Sequence, residues 1–172
     1  STETVEKETY GVNAARMEAA FDYIRKTPQV EDVVISGGDA FMLTAKQITL
    51  IGETLLDIPH IRRIRFATKG IAIFPQKITS DHEWFEALVK VHQKGKDMGK
   101  AVFVHTHFSS PKEITIYSKM AMDRLFQAGI IVRNQAVLQE GVNDNINDMV
   151  LLIRQMEYMN VQPYYVYIHE MV

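Results

Sequence analysis

The chain has 172 residues, of which 47% are hydrophobic and 23% charged, and its formal net charge is −2 at pH 7. This is the size and composition of one ordinary globular domain, or of part of a larger one. The charge and the lack of a basic run argue against a nucleic-acid partner, and no apolar stretch reaches the ~20 residues that cross a membrane. We expect a cytoplasmic protein.

The sequence contains no cysteine. Disulfides, thiolate zinc sites and a cysteine nucleophile are therefore excluded for this chain, as is an iron–sulfur cluster held by its own thiolates.

Residues 1–13 are polar without periodicity, and we interpret them as a lead-in. Apolar residues at helical spacing then predict five helices. Three of them open with a predicted capping box, at 44–47, 80–83 and 110–113. The predicted inward-facing residues are Met17, Ala20, Phe21 and Ile24, then Ile48, Ile51 and Leu55, then Trp84, Leu88 and Val91, then Ile114, Tyr117, Ala121, Leu125 and Ala128, and finally Met149, Leu152, Ile153 and Met156.

Runs rich in β-branched and aromatic residues predict five strands, at 32–36, 64–68, 101–107, 130–137 and 164–168. The first contains the run 33–35, which is apolar on both faces, as in a parallel sheet covered on both sides. Strict alternation of helices and strands predicts a parallel α/β sheet with right-handed crossovers. Both an open doubly wound sheet and part of a (β/α) barrel fit this order.

The first strand ends in the stretch Ser36-Gly37-Gly38-Asp39. Two glycines let a ligand approach the main chain, and the acid follows at the carboxyl end of the strand, where such folds place their chemistry. The simpler interpretation is a turn with a helix-capping acid.

Every predicted strand ends in side chains that ionise or form hydrogen bonds, and parallel strands bring these ends to one rim, so together they favour a binding or catalytic site. The residues in question are Ser36 and Asp39, Thr68 and Lys69, His105 and His107, Asn134 and Gln135, and His169 and Glu170.

One chemistry that fits this set is a metal site. His105 and His107 share a strand face by their spacing. With Asp39 and either His169 or Glu170 they predict a divalent-metal site of a metal-dependent hydrolase or lyase.

A second chemistry comes from resemblance. From about Met17 to Glu170 the sequence resembles the radical S-adenosylmethionine aminomutases of the lysine 2,3-aminomutase family. The stretches that carry the resemblance include Ser36-Gly-Gly-Asp39, Phe74-Pro-Gln-Lys-Ile-Thr79, Thr106-His-Phe108, Pro111-Lys-Glu-Ile-Thr115, Gly141-Val-Asn-Asp144 and Pro163-Tyr-Tyr-Val-Tyr167.

The resemblance implies a partial (β/α)6 TIM-like barrel, here without its first strand, and an isomerase that moves an amino group from C2 to C3 of lysine or a related amino acid. It implies three cofactors: S-adenosylmethionine, a [4Fe–4S] cluster and pyridoxal phosphate. The reaction would proceed through a 5′-deoxyadenosyl radical. The amino-acid substrate would be the partner, and the intact protein is expected to be a homo-oligomer.

The resemblance also implies roles for individual residues. Glu170 lies where lysine-acting members have an aspartate that binds the distal ammonium of the substrate. Lys69, His105 and His169 receive no role. The residues matched to binding of S-adenosylmethionine are Ser36, Gly37, Gly38 and Asp39, which would receive its methionine ammonium, together with His107 and Gln135.

No residue of the chain matches a cluster cysteine or the lysine that binds pyridoxal phosphate. We therefore expect residues 14–172 to be an incomplete radical S-adenosylmethionine barrel domain, the central fragment of an enzyme that is inactive by itself. The alternative is a degenerate barrel that binds ligands without catalysis.

Overall fold

The computed structural model describes residues 14–36 and 38–168. The helices are α1 Ala14–Arg25, α2 Ala45–Leu56, α3 Gly70–Ile73, α4 Gln76–Ser80, α5 His82–Asp97, α6 Ile116–Gln127 and α7 Ile146–Tyr158. The strands are β1 Asp32–Ile35, β2 Arg63–Ala67, β3 Ala101–Thr106, β4 Val132–Leu138 and β5 Val161–Ile168. Short 3-10 turns follow β1 and β3, at Ala40–Met42 and Pro111–Glu113.

The predicted alternation of helices and strands is confirmed, and the short helices α3 and α4 are additions to it. The predicted lead-in at 1–13 lies outside the described residues, as do three predicted site residues, Gly37, His169 and Glu170.

The five strands form one open parallel sheet in the order β1-β2-β3-β4-β5. A doubly wound sheet reverses its strand order at a switch point, whereas this order never reverses. Because crossovers are right-handed, crossovers that advance in one direction place their helices on the same face of the sheet. The architecture is therefore that of a partial TIM-like barrel, and the predicted fold class is confirmed.

The core lies between the outer face of this sheet and the helices. Every second residue of the central strands points into it, because side chains alternate along a strand. Burial of each large apolar side chain stabilises the fold by about 1.5–3 kcal/mol. The buried residues include Ile64, Phe66, Val102, Val104 and Val132 from the sheet, and Ile48, Leu55, Trp84, Leu88 and Val91 from α2 and α5.

The prediction that β1 is covered on both faces is wrong. Val33 and Ile35 pack against the core, but Val34 is 43% exposed. The reason is the strand order, which leaves the inner face without a layer of helices among the described residues.

Of the three predicted capping boxes, two form and one does not, and the box at Ser110–Glu113 opens a 3-10 turn rather than a helix. Thr44 and Gln47 form theirs as predicted. The helix α5 is instead capped by Asp81, whose carboxylate accepts a hydrogen bond from the Trp84 amide at 3.0 Å, because Ser80 is the last residue of α4. The box of Ser110–Glu113 caps a 3-10 turn, and α6 begins with a separate box.

Three residues predicted in the core are exposed: Ala20 on α1, Tyr117 by 55% and Ile153 by 41%. Because α6 begins only at Ile116, Ser118 takes the buried position of its first turn. On α7 the buried residues are Leu152 and Met156. No described helix has both the length and the apolar character needed to span a membrane.

The close packing of α2 on α5 gives a testable prediction. A Cβ at Gly52 would lie 2.4 and 2.6 Å from the two methyl carbons of Val91. We expect Gly52→Ala to lower the free energy of unfolding by about 1–3 kcal/mol in urea titrations, because overpacking outweighs the gain in helix propensity.

Val91→Ala should rescue this loss in part, so that the double variant is more stable than the two single losses predict. The exposed neighbour Glu53 provides the control, and Glu53→Ala should change stability by less than about 0.5 kcal/mol. A Gly52→Ala variant as stable as the parent would contradict the packing described here.

Candidate functional site

A cavity of about 360 Å³ lies at the carboxyl ends of β1 to β4 and is called the rim cavity below. Its volume lies within the range typical of small-molecule sites. Its lining residues are Ser36, Gly38, Asp39, Ala67, Thr68, Lys69, His105, Thr106, His107 and Gln135.

The rim cavity therefore brings together the described residues that the sequence predicts as a site: Ser36, Gly38, Asp39, His107 and Gln135. Their convergence is confirmed, whereas their roles stay predictions. A larger cavity of about 550 Å³ lies between the loop after β4 and α7, but mostly exposed residues of one loop and one helix line it. The rim cavity brings together polar groups from the ends of four strands, whereas this larger cavity does not, so we place the candidate site in the rim cavity.

The loop after β1 depends on Gly38. Its φ angle is +112°, in a region that other residues rarely adopt, and an added Cβ would meet nothing within 4 Å. The backbone at this position is therefore open to the cavity, as a close approach by a ligand requires.

Asp39 holds this loop to the next one. Its carboxylate accepts a hydrogen bond from the Phe41 amide at 2.9 Å, which caps the following 3-10 turn. The hydroxyl of Thr68 also donates to it, and so does the Lys69 amide at 2.8 Å. An ionised carboxylate has about four acceptor positions, of which the described residues fill three, so the fourth is open to a ligand within this part of the chain.

Phe41 anchors the same turn in the core. Its ring lies 4.9 Å from that of Trp84 in an edge-to-face arrangement, which stabilises aromatic pairs. Gly70 makes room for it, since a Cβ there would lie 2.0 Å from a Phe41 ring carbon. The position of Asp39 is thus fixed by packing as well as by hydrogen bonds.

An ion pair joins the loop after β2 to the loop after β3. The ammonium of Lys69 lies 2.8 Å from a carboxylate oxygen of Glu113 and also donates to the carbonyl of His107 at 3.3 Å. The other oxygen of Glu113 accepts hydrogen bonds from the amides of Ser109 and Ser110, at 2.6 and 3.1 Å.

Burial alone would raise the pKa of Glu113. The hydrogen bonds from Lys69 and from the two serine amides outweigh this effect, so that the pKa lies below its ordinary value of 4.5. Glu113 is therefore a carboxylate at neutral pH.

Asn143 joins the third loop to the fourth. Its side chain is fully buried and donates to the carbonyls of Ser109, at 2.8 Å, and Val137, at 2.9 Å, while its oxygen accepts from the Gln139 amide at 2.8 Å. The sequence analysis missed this role, because a turn such as Gly141-Val-Asn-Asp144 is equally compatible with an exposed asparagine.

The two histidines of the rim cavity are both neutral at pH 7. Burial, reinforced by the nearby Lys69, lowers the pKa of His107, and its Nε2 lies 2.8 Å from the Ser109 hydroxyl. Burial, reinforced by Arg65 and Arg133, lowers the pKa of His105 to about 4. Neutral imidazoles at these positions offer hydrogen bonds to a ligand without adding charge.

The predicted metal site receives limited support. His105, His107 and Asp39 all line the rim cavity, as that hypothesis requires. Nevertheless, within residues 14–36 and 38–168 no three histidine, aspartate or glutamate side chains form a group that could hold a metal ion.

Comparison with known proteins gives the following similarities. The chain is 38% identical over 152 residues to an L-lysine 2,3-aminomutase of Fusobacterium nucleatum and 39% identical over 152 residues to that of Clostridium subterminale. It is 35% identical over 153 residues to a glutamate 2,3-aminomutase of Clostridioides difficile. No protein-family model matches the chain.

These alignments cover 88 or 89% of the chain but only 33 or 34% of each relative. The chain therefore spans about a third of the length of the curated relatives it matches. The similarity to lysine 2,3-aminomutases that the sequence predicts is confirmed for this part.

The ion pair at the rim gives a prediction about pH. Glu113→Gln should lower the free energy of unfolding by about 1–3 kcal/mol at pH 7, because it removes the charged partner of Lys69 and weakens the hydrogen bonds from two amides. The pKa of Glu113 is lower in the folded chain than in the unfolded chain. Its stabilisation is therefore complete above the ordinary value of 4.5 and is lost as the pH falls through the folded-state pKa.

Urea unfolding between pH 7 and pH 3 measures this difference. Glu86→Gln is the matched control, since Glu86 is exposed on α5, and it should leave stability nearly unchanged at every pH. A Glu113→Gln loss that stays constant down to pH 3 would show that charge is not the cause.

Proposed function

Because the chain is homologous to lysine and glutamate 2,3-aminomutases over nearly nine-tenths of its length, we propose that it is the central part of an aminomutase. The proposed enzyme is a radical S-adenosylmethionine isomerase that moves an amino group from C2 to C3 of lysine or a related amino acid. The observation that carries this proposal is the convergence of Ser36, Gly38, Asp39, His107 and Gln135 on one cavity at the strand ends.

The loop after β1 fits the methionine ammonium of S-adenosylmethionine. Gly38 leaves the main chain open, and the carboxylate of Asp39 keeps one acceptor position beside it. An ammonium is attracted by carboxylate and carbonyl oxygens, and charge-assisted hydrogen bonds are the stronger kind. When bound at a reduced [4Fe–4S] cluster, S-adenosylmethionine supplies the 5′-deoxyadenosyl radical.

The remaining residues of the rim cavity would orient this ligand. His107 is held by Ser109 and stays neutral, so it can donate or accept a hydrogen bond without repelling a sulfonium cation. Gln135 offers an amide from the neighbouring strand β4. Side chains on strand ends are positioned more rigidly than side chains on free loops, which favours a defined ligand geometry.

The other two cofactors would depend on residues beyond this chain. With no cysteine in the sequence, the thiolates that hold a [4Fe–4S] cluster would come from another segment. Lys69, the lysine that lines the rim cavity, does not fit the role of binding pyridoxal phosphate, because its ammonium is paired with Glu113. Glu170 would bind the distal ammonium of a lysine-type substrate.

Binding of S-adenosylmethionine tests the proposal directly. Gly38→Ala should weaken the affinity measured by calorimetry by roughly tenfold, or about 1.4 kcal/mol, because a methyl group obstructs the open backbone and strains the loop. Gly99→Ala is the matched control. Gly99 also has a positive φ angle, +68°, and open space around its Cβ, but it lies before β3, at the opposite end of the strands.

Both variants should lose similar stability, whereas only Gly38→Ala should lose affinity. If the parent chain does not bind S-adenosylmethionine or its homocysteine analogue, the rim cavity serves another ligand and the proposal fails.

The proposal also predicts that the 172-residue chain is catalytically silent by itself. After reconstitution with iron and sulfide it should show no absorbance band near ~400 nm, the band expected of a thiolate-held cluster. With S-adenosylmethionine and dithionite it should form no 5′-deoxyadenosine above the level of a control without protein. Formation of 5′-deoxyadenosine would mean that this chain can hold a cluster without cysteine.

A further inference from the structure

Below the rim cavity, three arginines share the inner face of the sheet. Arg63 and Arg65 lie on β2 and Arg133 lies on β4. Odd-numbered residues of β2 point to this face, because their even-numbered neighbours Ile64 and Phe66 are buried in the core. This inner-face cluster is separate from the residues assigned to S-adenosylmethionine.

One carboxylate faces the three guanidinium groups. Asp32 of β1 accepts a hydrogen bond from Arg63 at 3.1 Å and from Nε of Arg65 at 2.9 Å. The inner-face cluster therefore has a net charge of about +2. Only one fifth of the Arg65 side chain is exposed, and among the described residues its hydrogen-bond partner is Asp32.

Aromatic rings hold Arg133 in place. Its guanidinium lies 4.2 Å from the centre of the Phe103 ring and 4.8 Å from that of Tyr164. Its Nε is 3.4 Å from the side-chain oxygen of Gln162. Stacked on two rings, the guanidinium keeps in-plane N–H groups available for an oxyanion, the geometry for which arginine is suited.

His105 completes the group. It is the β3 residue paired with Arg133, its ring lies 5.5 Å from that of Tyr164, and it is 6% exposed. Its Nε2 is buried and has no hydrogen-bond partner in the part of the chain that the structure describes. A buried polar group without a partner destabilises the fold, and a bound ligand that accepts or donates a hydrogen bond there would offset this cost.

Burial and the charges around His105 explain why its imidazole is neutral at pH 7. Burial, Arg65, Arg133 and Arg63 lower its pKa, and Asp32 raises it, with a result of about 4. Besides Tyr164, the ring of Tyr165 packs at 6.5 Å, and burial raises the pKa of that phenol, so it is uncharged at pH 7. Among the described residues, Asp32 is the carboxylate that raises the pKa of His105.

We propose that Arg65, Arg133 and His105 form an oxyanion-binding site on the inner face, for the phosphate or carboxylate group of a small molecule that extends downward from the rim cavity. Two guanidinium groups supply charge and paired donors, and the imidazole supplies one more hydrogen bond. His105 lines the rim cavity, so the two sites are continuous. This inference does not depend on the proposed aminomutase activity.

Titration of the 172-residue chain with inorganic phosphate tests the site, and acetate is the second probe. Calorimetry should show saturable binding, and the ¹⁵N resonance of the His105 ring should shift with the same midpoint. The probe that binds more tightly identifies the phosphate or the carboxylate as the natural group.

Arg65→Gln and Arg133→Gln should each weaken this binding at least about tenfold, or about 1.4 kcal/mol. Arg154→Gln is the control, because Arg154 is exposed on α7, and it should bind as the parent does. Urea unfolding of each variant verifies that the fold is retained. The His105 resonance in the parent chain reports on the site even if one arginine variant unfolds.

Sulfate, which stays a dianion, tests the role of His105 by pH. A bound anion favours the protonated imidazole, so sulfate affinity should rise several-fold as the pH falls from 7 toward 4.5. His105→Asn should flatten this rise. The absence of saturable binding of all three anions, or an equal loss in Arg154→Gln, would overturn the proposal.

Discussion

The loops around the rim cavity depend on the hydrogen bonds that the carboxylate of Asp39 accepts. This carboxylate is the point where the loop after β1 and the loop after β2 meet, through hydrogen bonds from Thr68, Lys69 and Phe41. A helix-capping role and a ligand-binding role are usually weighed as alternatives for such an acid. Here the three internal hydrogen bonds fix the orientation of the carboxylate, and that orientation determines where its remaining acceptor position points. The structural role is therefore a condition for binding rather than an argument against it.

Similar contacts link the other loops around the rim cavity. The backbone of Lys69 is held by Asp39, its side chain by Glu113, and the loop after β3 is held in turn by Glu113 and Asn143. Each link crosses from one βα loop to the next, so four loops that are far apart in sequence are connected by short hydrogen bonds. Partly buried polar networks of this kind are stabilising only when their members are satisfied. These links hold single residues from separate strands in fixed relative positions, as a binding site requires. For the same reason, a substitution in one loop is expected to displace the neighbouring loops.

Sequence analysis predicts those parts of this structure that follow from local patterns. Apolar periodicity identified the cores of α2 and α5, and the strand-end residues of the rim cavity followed from the alternation of helices and strands. Burial of Asn143 and exposure of Val34 could not be predicted, because both depend on which layer covers a residue. The pattern Arg63-Ile-Arg65 was visible as an alternation of charged and apolar residues. It indicates a strand with one polar face, and only the strand order shows that this face is the inner one.

The rim cavity and the inner-face cluster below it have opposite charge. The rim has the carboxylate of Asp39, since Lys69 and Glu113 neutralise each other, whereas the middle of β2 and β4 has Arg65 and Arg133 with a net positive charge. Arg65 precedes the cavity-lining Ala67 by two residues, or about 7 Å along the strand. Over so short a distance in a partly buried space, the field is screened little by solvent. A ligand with separated positive and negative groups would therefore enter in one orientation, with its cation at the rim and its anion below. The ligand would thus be oriented by charge. His105, which is neutral and lines the rim cavity above the arginines, would select the ligand by hydrogen bonding.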